Sequence, residues 1–436
     1  MTRQAPQAEQ DSATILATPE QLAAERRALK VLKDPRVQAA VAEVRRSLIN
    51  DPAAARPEGL ALLDRALGLW LHLLAMRVMG ADVARPIVLM EANEARRSWS
   101  DVGFPPSGGA GINPDNIYRA AYIDGRHSYE LYGQAFADGA GEFSIEGTIG
   151  GPADFVLTTA GKPNPDMGNQ FALSRDSDIF RDEDGRFTIT MDRSPANGRS
   201  NHIEIPQGPI SLILRNTLSD WRQVPTTFGI RRVDTEEAGP PPSDEELALE
   251  IASKLAPWVA VWTTLKAKFL GFREDNKIVG PLPRDGGWGF FAGVHYRLED
   301  DEALVVTTYH GGAEYTGVHL NDDWFAGSDP RHSFISLNIN QAVRSPDGTV
   351  TYVIASSDPG FVNWLDTERT RSGFIHFRWQ RTPPGLDPAT LVRGCQRMKL
   401  ADLNTFLPQG AVSIGAADRQ RKLQQRADLY DRRFAR

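Results

Sequence analysis

The sequence predicts a mainly β fold with helical additions: an antiparallel β-sandwich or jelly-roll core, an N-terminal helical segment, a bridging helix and a C-terminal helical tail. Two stretches, 99–235 and 285–382, contain short runs rich in β-branched and aromatic residues, separated by glycine, proline, asparagine and aspartate turns. Many short strands with frequent turns are typical of antiparallel sandwiches rather than parallel sheets. Helical periodicity, in contrast, is confined to the ends of the chain and to the segment between these stretches.

The first 98 residues form the predicted helical N-terminal region. Thr18-Pro19 has the pattern of an N-cap followed by the first helical residue, and Gln21 can close a capping box. After a break at Asn50–Pro52, a second helix is predicted from Gly59 to about Met79, with leucines and a tryptophan on one side. A third short helix is predicted from Ile87 to about Ser98.

The middle of the chain divides two predicted β regions. The first, 99–235, includes a predicted strand at 154–159, and it is followed by a stiff, exposed linker at Glu236–Pro242. Ser243–Glu246 is a capping box that starts the bridging helix, predicted over 243–271. The second β region, 285–382, contains a hairpin turn at Ser345–Gly348. Whether the two regions build one sandwich or two stays open at this point.

The last predicted region, 387–436, is a helical tail that begins at Asp387-Pro388 and ends in a basic stretch. Such a short basic helix is expected to pack on a neighbouring subunit or to stay solvated. Together with the apolar-faced N-terminal helices, it favours a homodimer.

Composition and charge exclude several classes of partner. The 436 residues carry a net charge of −7, which gives no basic field for nucleic acid. A single cysteine, Cys395, excludes an internal disulfide and a thiolate-rich metal site. The N-terminus has no apolar stretch of signal-peptide length, and the apolar run Leu60–Met79 is interrupted by charged residues. The expectation is a cytoplasmic protein without a membrane partner.

Local motifs for phosphate, zinc, calcium and nucleophilic serine chemistry are missing, so no cofactor is predicted. A metal alternative stays open, because His310 could pair with His319 or with His295 if adjacent strands bring them together. Three residues could then complete the ligand set: Asp322, Asp323 or Glu314. The tight HxH spacing of cupin-like metal sites is absent.

The remaining option is metal-free acid–base chemistry in the stretch from Trp288 to Arg381, which holds five of the eight histidines and four of the nine tryptophans. Loops between strands in this stretch can hold polar side chains over a pocket. The candidate catalytic residues are His310, His319, His332, Tyr118, Arg119, Arg331 and Asp220. The candidate substrate-binding residues are Trp324, Trp364, Asn363, Asp366 and Tyr315.

Five short sequence motifs carry a family resemblance. They are Asn113–Arg119, Asp220–Arg222, Asp358–Gly360, Asn363–Thr367 and Arg378-Trp379. In combination they resemble family 1214 of the domains of unknown function, which often occurs with companion family 1254. The resemblance spans roughly 113–379 and implies a β-sandwich or jelly-roll core with helical embellishments and a bacterial origin. It implies no established reaction, although members of this length look like auxiliary enzymes of aromatic or steroid catabolism.

The leading functional hypothesis is a cofactor-independent lyase or isomerase for a small aromatic or polycyclic substrate. A histidine would remove a phenolic or hydroxyl proton, Arg119 or Arg331 would stabilise the oxyanion, and a tyrosine or aspartate would return the proton. One concrete case is retro-aldol-like loss of formaldehyde from a lignin-derived phenolic dimer. The alternative is a non-catalytic carbohydrate- or ligand-binding sandwich, in which exposed Trp324 and Trp364 would stack on sugar rings.

Overall fold

A computed structural model describes residue 16 and residues 18–92, 113–136, 142–149, 170–268, 274–284, 289–407 and 411–432. Within these residues the chain forms four mostly antiparallel sheets with added helices. The predicted mainly β fold with helical additions and a β-sandwich architecture is confirmed. The predicted strand at 154–159 and the tryptophan at 288 lie outside the described residues.

The helices are α1 (Pro19–Val31), α2 (Pro35–Leu48), α3 (Gly59–Met79), α4 (Asp244–Lys268), α5 (Leu403–Phe406) and α6 (Ala416–Arg432). Thr18 caps α1 as expected, because its hydroxyl accepts a hydrogen bond from the Gln21 amide at 3.1 Å. The Gln21 side chain does not close a capping box. It instead bonds the main chain of Met90 in both directions and so ties α1 to the first strand.

Four of the helices share one apolar core. Residues of α1, α2, α3 and α4 pack together, and Trp258 of α4 donates its indole hydrogen to the Trp70 carbonyl oxygen of α3 at 2.9 Å. By length and composition α3 could also cross a membrane, but 61% of its most apolar window is buried inside the protein. Such burial is typical of the core helix of a soluble protein.

The first sandwich consists of two sheets. Its strands are β1 (Leu89–Ala92), β2 (Asn116–Asp124), β3 (Tyr129–Gln134), β4 (Glu142–Ile149), β5 (Gln170–Arg175), β6 (Arg186–Asp192), β7 (His202–Glu204), β8 (Pro209–Thr217) and β9 (Thr227–Arg232). Sheet I has the order β1-β2-β8-β4-β5, and sheet II has the order β7-β6-β3-β9. Leu131, Phe143, Ile189 and Leu212 lie in the core between them.

The second sandwich has its own two sheets. Its strands are β10 (Ile278–Arg284), β11 (Gly289–Arg297), β12 (Glu302–Tyr309), β13 (Tyr315–Asp322), β14 (Ser336–Asn338), β15 (Thr349–Ala355), β16 (Trp364–Asp366), β17 (Ser372–Gln380) and β18 (Val392–Lys399). Sheet III has the order β10-β11-β17-β13-β14, and sheet IV has the order β16-β15-β12-β18. Val294, Val306, Val318 and Ile354 belong to the core between these sheets. The two β regions therefore build two sandwiches, each with its own core.

Three predicted boundaries are wrong. The start of the predicted third helix is instead strand β1, because Leu89 and Met90 pair with β2 at the edge of sheet I, while 93–98 lie outside the described residues. The second β region is larger than 285–382, since it begins with β10 and ends with β18. The tail 387–436 is therefore not wholly helical: β18 pairs with β12 and completes sheet IV.

The basic helix α6 packs on its own chain rather than staying solvated. Arg419, Arg426 and Tyr430 are buried. Arg426 donates to the Pro330 carbonyl at 2.8 Å and lies 4.1 Å above the Trp221 ring of the first sandwich. The helical faces that favoured a homodimer thus pack against other parts of the same chain. The homodimer stays a prediction.

A buried polar network joins the two sandwiches. The carboxylate of Asp115, which is fully buried, accepts hydrogen bonds from Trp221 Nε1 at 2.6 Å, Tyr315 Oη at 2.6 Å and Asn338 Nδ2 at 2.9 Å. Tyr315 and Asn338 belong to the second sandwich. The network fixes where β13 lies relative to sheet I.

Candidate active site between the two sandwiches

The candidate site lies on the face of sheet III that points away from its own core. Along β13, Val318 and Leu320 enter the core, so the alternation of a strand turns His319 and Asn321 to the opposite face. The same alternation on β17 sends Ile375, Phe377 and Trp379 inward. It sends His376 and Arg378 to the face that carries His319.

Two stacked histidines occupy the centre of this face. His319 and His376 are directly opposite each other in the β13–β17 pairing, and their rings stack with centroids 4.8 Å apart and planes 10° apart. Their relative exposures are only 1% and 5%. Among the described residues, both ring nitrogens of His319 and Nε2 of His376 lack a hydrogen-bond partner.

Asn321 adds two further buried polar atoms without a partner among the described residues, its amide oxygen and its amide nitrogen. Buried polar groups in proteins are nearly always paired, because each unpaired one costs about 1–3 kcal/mol. Five such atoms on one face therefore indicate a place where a ligand or water completes the hydrogen bonds.

A cluster of arginines from both sandwiches adjoins the histidines through Arg378, whose charge acts on both rings. From sheet III come Arg378, next to His376 on β17, and Arg284 at the end of β10. From sheet I comes Arg215, whose guanidinium carbon lies 4.8 Å from the Tyr118 ring centroid and whose Nη2 pairs with Glu146 at 2.6 Å. We call these groups the arginine–histidine site: Tyr118, Arg215, Arg284, His319, Asn321, His376 and Arg378.

The pKa values of the site report its enclosure and its positive charge. Burial, with a smaller effect of the Arg378 charge, lowers the pKa of His376 to about 3. Burial, the His376 ring and Arg378 hold the pKa of His319 well below its usual range. Burial together with the charges of Arg378 and Arg215 lowers the pKa of Arg284 to about 9. Both histidines are consequently neutral at pH 7.

An aromatic turn closes one end of the site. Phe325 has the left-handed backbone conformation (φ 58°), which is strained for a bulky residue. Its ring stacks on Phe374 at 4.6 Å and meets the His376 ring edge at 5.6 Å. The Asp322 carboxylate holds the turn, since it accepts from the Trp324 amide at 2.8 Å and the Ala326 amide at 2.9 Å.

The Asp115 network supports the site from the other end. A Cβ on Gly317 would lie 2.1 Å from the Tyr315 hydroxyl, so only glycine leaves room for the bond to Asp115. Gly317 is directly opposite Arg378 in the β13–β17 pairing. Tyr315 and His319 lie on the same strand, so the bond from Tyr315 to Asp115 anchors the start of the strand that carries His319.

The structure brings four of the residues predicted from sequence to this site or its border. Tyr118 and His319 belong to it. Tyr315 lies at its base, in the Asp115 network. Trp324 lies behind the aromatic turn, buried to 2% exposure, with its ring 6.3 Å from Trp70 of α3.

The other predicted catalytic residues lie elsewhere. His310 follows β12 of sheet IV, where its ring packs on Tyr309, and the His332 side chain is 75% exposed. Arg331 is paired with Asp329, and Asp220 with Arg222 at an exposed turn. Arg119 is buried in the first sandwich, where it donates to the Thr226 carbonyl at 2.6 Å, and burial lowers its pKa to about 9.

The predicted binding residues of the 358–367 loop brace that loop. Asn363 bonds the main chain of Val343 and Thr351. The indole of Trp364 donates to the Ala355 carbonyl at 3.0 Å, and Asp366 accepts from the Glu368 amide at 2.7 Å.

The strands do not bring together the histidines of the predicted metal site. It required adjacent strands to pair His310 with His295 or His319, but β12 belongs to sheet IV, whereas β11 and β13 belong to sheet III. In the part of the chain that the structure describes, the group with metal-ligand spacing is His127, Asp234 and Glu236 in the first sandwich. Arg232 pairs with Asp234 at 3.2 Å, which is typical of an ion-pair cluster.

Sequence reasoning missed five members of the site as functional residues: Arg215, Arg284, Asn321, His376 and Arg378. The alternation of polar with apolar residues in 318–321 and 374–379 was a readable signal. It could not show that the polar face is covered by a second sandwich instead of water.

Fold and site together define a two-sandwich β protein with an enclosed, basic, histidine-containing site between its halves. No family model matches the chain, and no curated protein matches it. The resemblance to family 1214 therefore stays a prediction.

Solved structures do show similarity. An uncharacterized protein from Burkholderia cenocepacia is 23% identical, with a TM-score of 0.66, over 86% of this chain and 99% of that one. This likeness shows a shared fold alone. The VPA0106 protein from Vibrio parahaemolyticus is 11% identical, with a TM-score of 0.38, over 66% of this chain and 90% of that one.

Proposed function

We propose that the protein is an enzyme that performs acid–base chemistry on a small aromatic or polycyclic molecule, with the arginine–histidine site as its active site. The observation that carries the proposal is the stacked, buried His319–His376 pair, three of whose four ring nitrogens are buried without partners among the described residues. Buried titratable groups in a cleft between domains are a common sign of an active site.

Each part of the site has a chemical role in the proposal. His319 is neutral and can accept a hydroxyl or phenolic proton. The guanidinium of Arg378 stabilises the oxyanion that this transfer creates, and the Tyr118 hydroxyl returns a proton. Aromatic walls at Phe325 and Phe374 exclude water and favour a ring as substrate.

These side chains suffice for a lyase or isomerase step without an organic cofactor. In the lyase case, the base takes the proton of a hydroxymethyl group and the adjacent carbon–carbon bond breaks. Formaldehyde leaves, the electron pair remains on the aromatic product, and the acid protonates it. A lignin-derived phenolic dimer is one substrate of this kind.

We further propose a cytoplasmic location.

The alternative of a sugar-binding platform required exposed tryptophans. Trp324 and Trp364 are instead buried, to 2% and 8% exposure. A flat aromatic surface built from these two residues is therefore not available.

The test is turnover of phenolic aromatic dimers and steroids by purified protein, with formaldehyde release as one readout. His319→Ala and His376→Ala are each expected to lower kcat/KM about 100-fold or more, since general-base catalysis contributes about that much. His310→Ala and His332→Ala serve as matched controls outside the site and should keep full activity. Equal activity of all four variants, or no turnover of any compound by the unaltered protein, would refute the proposal.

A further inference from the structure

The arginine–histidine site contains more positive charge than its described surroundings neutralise. Glu146 pairs with Arg215, but in the described ranges neither Arg284 nor Arg378 forms an ion pair. Arg284 Nη1 is buried and has no partner among these residues. The single Glu146 carboxylate acts on Arg284 as well as on Arg215, so one negative charge faces three guanidinium groups. Such an excess of positive charge is unfavourable in an enclosed site unless a bound anion compensates it.

The strand register places Arg284 and Arg378 on the same face of sheet III, because Leu282, two residues before Arg284, pairs with Phe291, and Phe291 pairs with Arg378. Arg284 and Arg378 come from β10 and β17, which flank β11 on either side in sheet III. Their guanidinium groups are close enough that the charge of Arg378 lowers the pKa of Arg284. A guanidinium fork donates two parallel hydrogen bonds to a carboxylate, which gives both affinity and orientation.

An aromatic surface lies next to the arginines. The Arg378 guanidinium carbon is 5.6 Å from the Phe291 ring centroid, and Tyr118 lies under Arg215. On β11, the residue opposite His376 is Gly293, which adds no side chain to that row of the sheet. A ring attached to the carboxylate can therefore lie along this row toward the histidines.

We infer that the arginine–histidine site binds an aromatic carboxylic acid, with the carboxylate on Arg284 and Arg378 and the ring directed toward His319 and His376. The inference rests on the proposed function for the identity of the site, and it names the class of substrate. It also explains how such buried histidines become useful bases. An anion bound beside them stabilises their protonated form and offsets the effect of Arg378.

The experiment is calorimetric titration of the purified full chain with 4-hydroxybenzoate and with its neutral isostere 4-hydroxybenzamide. We expect binding of the acid to be at least about 10-fold tighter, because charge-assisted hydrogen bonds in buried sites contribute about that much. Arg284→Gln and Arg378→Gln should each weaken binding of the acid about 10- to 100-fold. They should weaken binding of the amide about 5-fold at most, because a neutral acceptor forms the weaker hydrogen bond. Arg397→Gln is the matched control, because Arg397 is an exposed arginine of β18, outside the site.

Two further arms keep the result interpretable. Arg378→Lys retains the charge without the fork and should bind with intermediate affinity, which covers the case that Arg378→Gln does not fold. Inorganic phosphate and phenyl phosphate are titrated in parallel. Equal affinity for acid and amide, or tighter binding of either phosphate compound, would overturn the inference.

The two proposals fail differently. Turnover of neutral aromatic compounds that depends on His319 and Arg378 but not on Arg284 would refute the carboxylate inference alone. Binding of 4-hydroxybenzoate that needs both arginines, without turnover of any aromatic acid tested, would support the inference and refute the proposed function.

Discussion

At the scale of single residues, His376 shows how burial determines the state of a side chain. Its ring stacks on the His319 ring, contacts the Phe325 ring, and is only 5% exposed. Charging this ring would place an unsolvated cation near an arginine. Burial and, to a smaller extent, Arg378 therefore lower its pKa from 6.5 to about 3.

This lowered pKa makes stability depend on pH. Between about pH 6.5 and 3 the unfolded chain binds a proton at residue 376 while the folded chain does not, so stability falls as the pH falls through this window. Each such histidine contributes up to about 1.4 kcal/mol per pH unit. We predict that His376→Gln lowers the pH dependence of the free energy of unfolding by up to this amount, as measured by urea denaturation from pH 7 to 4.5.

The control is His332→Gln, because the His332 side chain is 75% exposed. Its unfolding free energy should follow that of the unaltered protein at every pH. If His376→Gln also followed it, the ring of His376 would have to be protonated in the folded state, contrary to the environment described above.

At the scale of elements, α6 illustrates a helix whose sequence misleads. Its basic residues indicate a solvated surface, yet Arg426 points inward and holds α6 against both sandwiches. Arg426 Nε donates to the Pro330 carbonyl, Nη1 donates to Gln341 Oε1 at 3.1 Å, and the guanidinium covers the Trp221 ring. A long side chain can combine these roles because its stem is apolar and only its end is charged.

We predict that Arg426→Ala lowers the free energy of unfolding by about 2–4 kcal/mol, since it leaves buried acceptors unpaired and removes a cation–π contact. Arg421→Ala on the same helix is the matched control. Arg421 is 69% exposed and, among the described residues, pairs only with Asp418, so its loss should change stability by less than about 0.5 kcal/mol. Equal effects of the two substitutions in urea denaturation would contradict this account of α6.

Local signals predicted where two helices, α1 and α4, begin. Thr18 and Ser243 both cap helices as expected, and Ser243 and Glu246 form the reciprocal capping box that the sequence indicates. Such hydrogen bonds connect residues three positions apart, so both partners can be recognised within a short window of the sequence. Strand β18 was missed because its eight residues are half-exposed or exposed and lack apolar alternation. Its pairing with β12 provides the structure that its composition does not predict.

At the scale of the whole molecule, the site could be predicted only in part. His319 and Tyr118 were recognisable as chemically capable, but 201 positions separate them in the chain, and only the docking of the two sandwiches brings them together. That docking depends on buried polar groups such as Asp115, which the sequence presents as an ordinary turn residue after Pro114. Long-range pairing of this kind leaves no local pattern.

The Asp115 network gives the last prediction. Asp115→Ala would leave three buried donors, on Trp221, Tyr315 and Asn338, without their acceptor. Each unpaired donor costs about 1–3 kcal/mol, so we predict a loss of at least about 3 kcal/mol. Because two of the donors lie in the second sandwich, the loss should weaken the coupling between the sandwiches. Scanning calorimetry should then change from one transition to two.

The matched control is Asp301→Ala, since this aspartate is 70% exposed and pairs with Lys399 at 2.9 Å. It should keep a single transition at nearly the original temperature. Asp115→Ala should in addition weaken binding of 4-hydroxybenzoate, because Tyr315 would no longer fix the strand segment that faces Arg378. A variant with one unchanged transition and unchanged affinity would mean that the helical core around Trp70 and Trp324 alone holds the two halves in register.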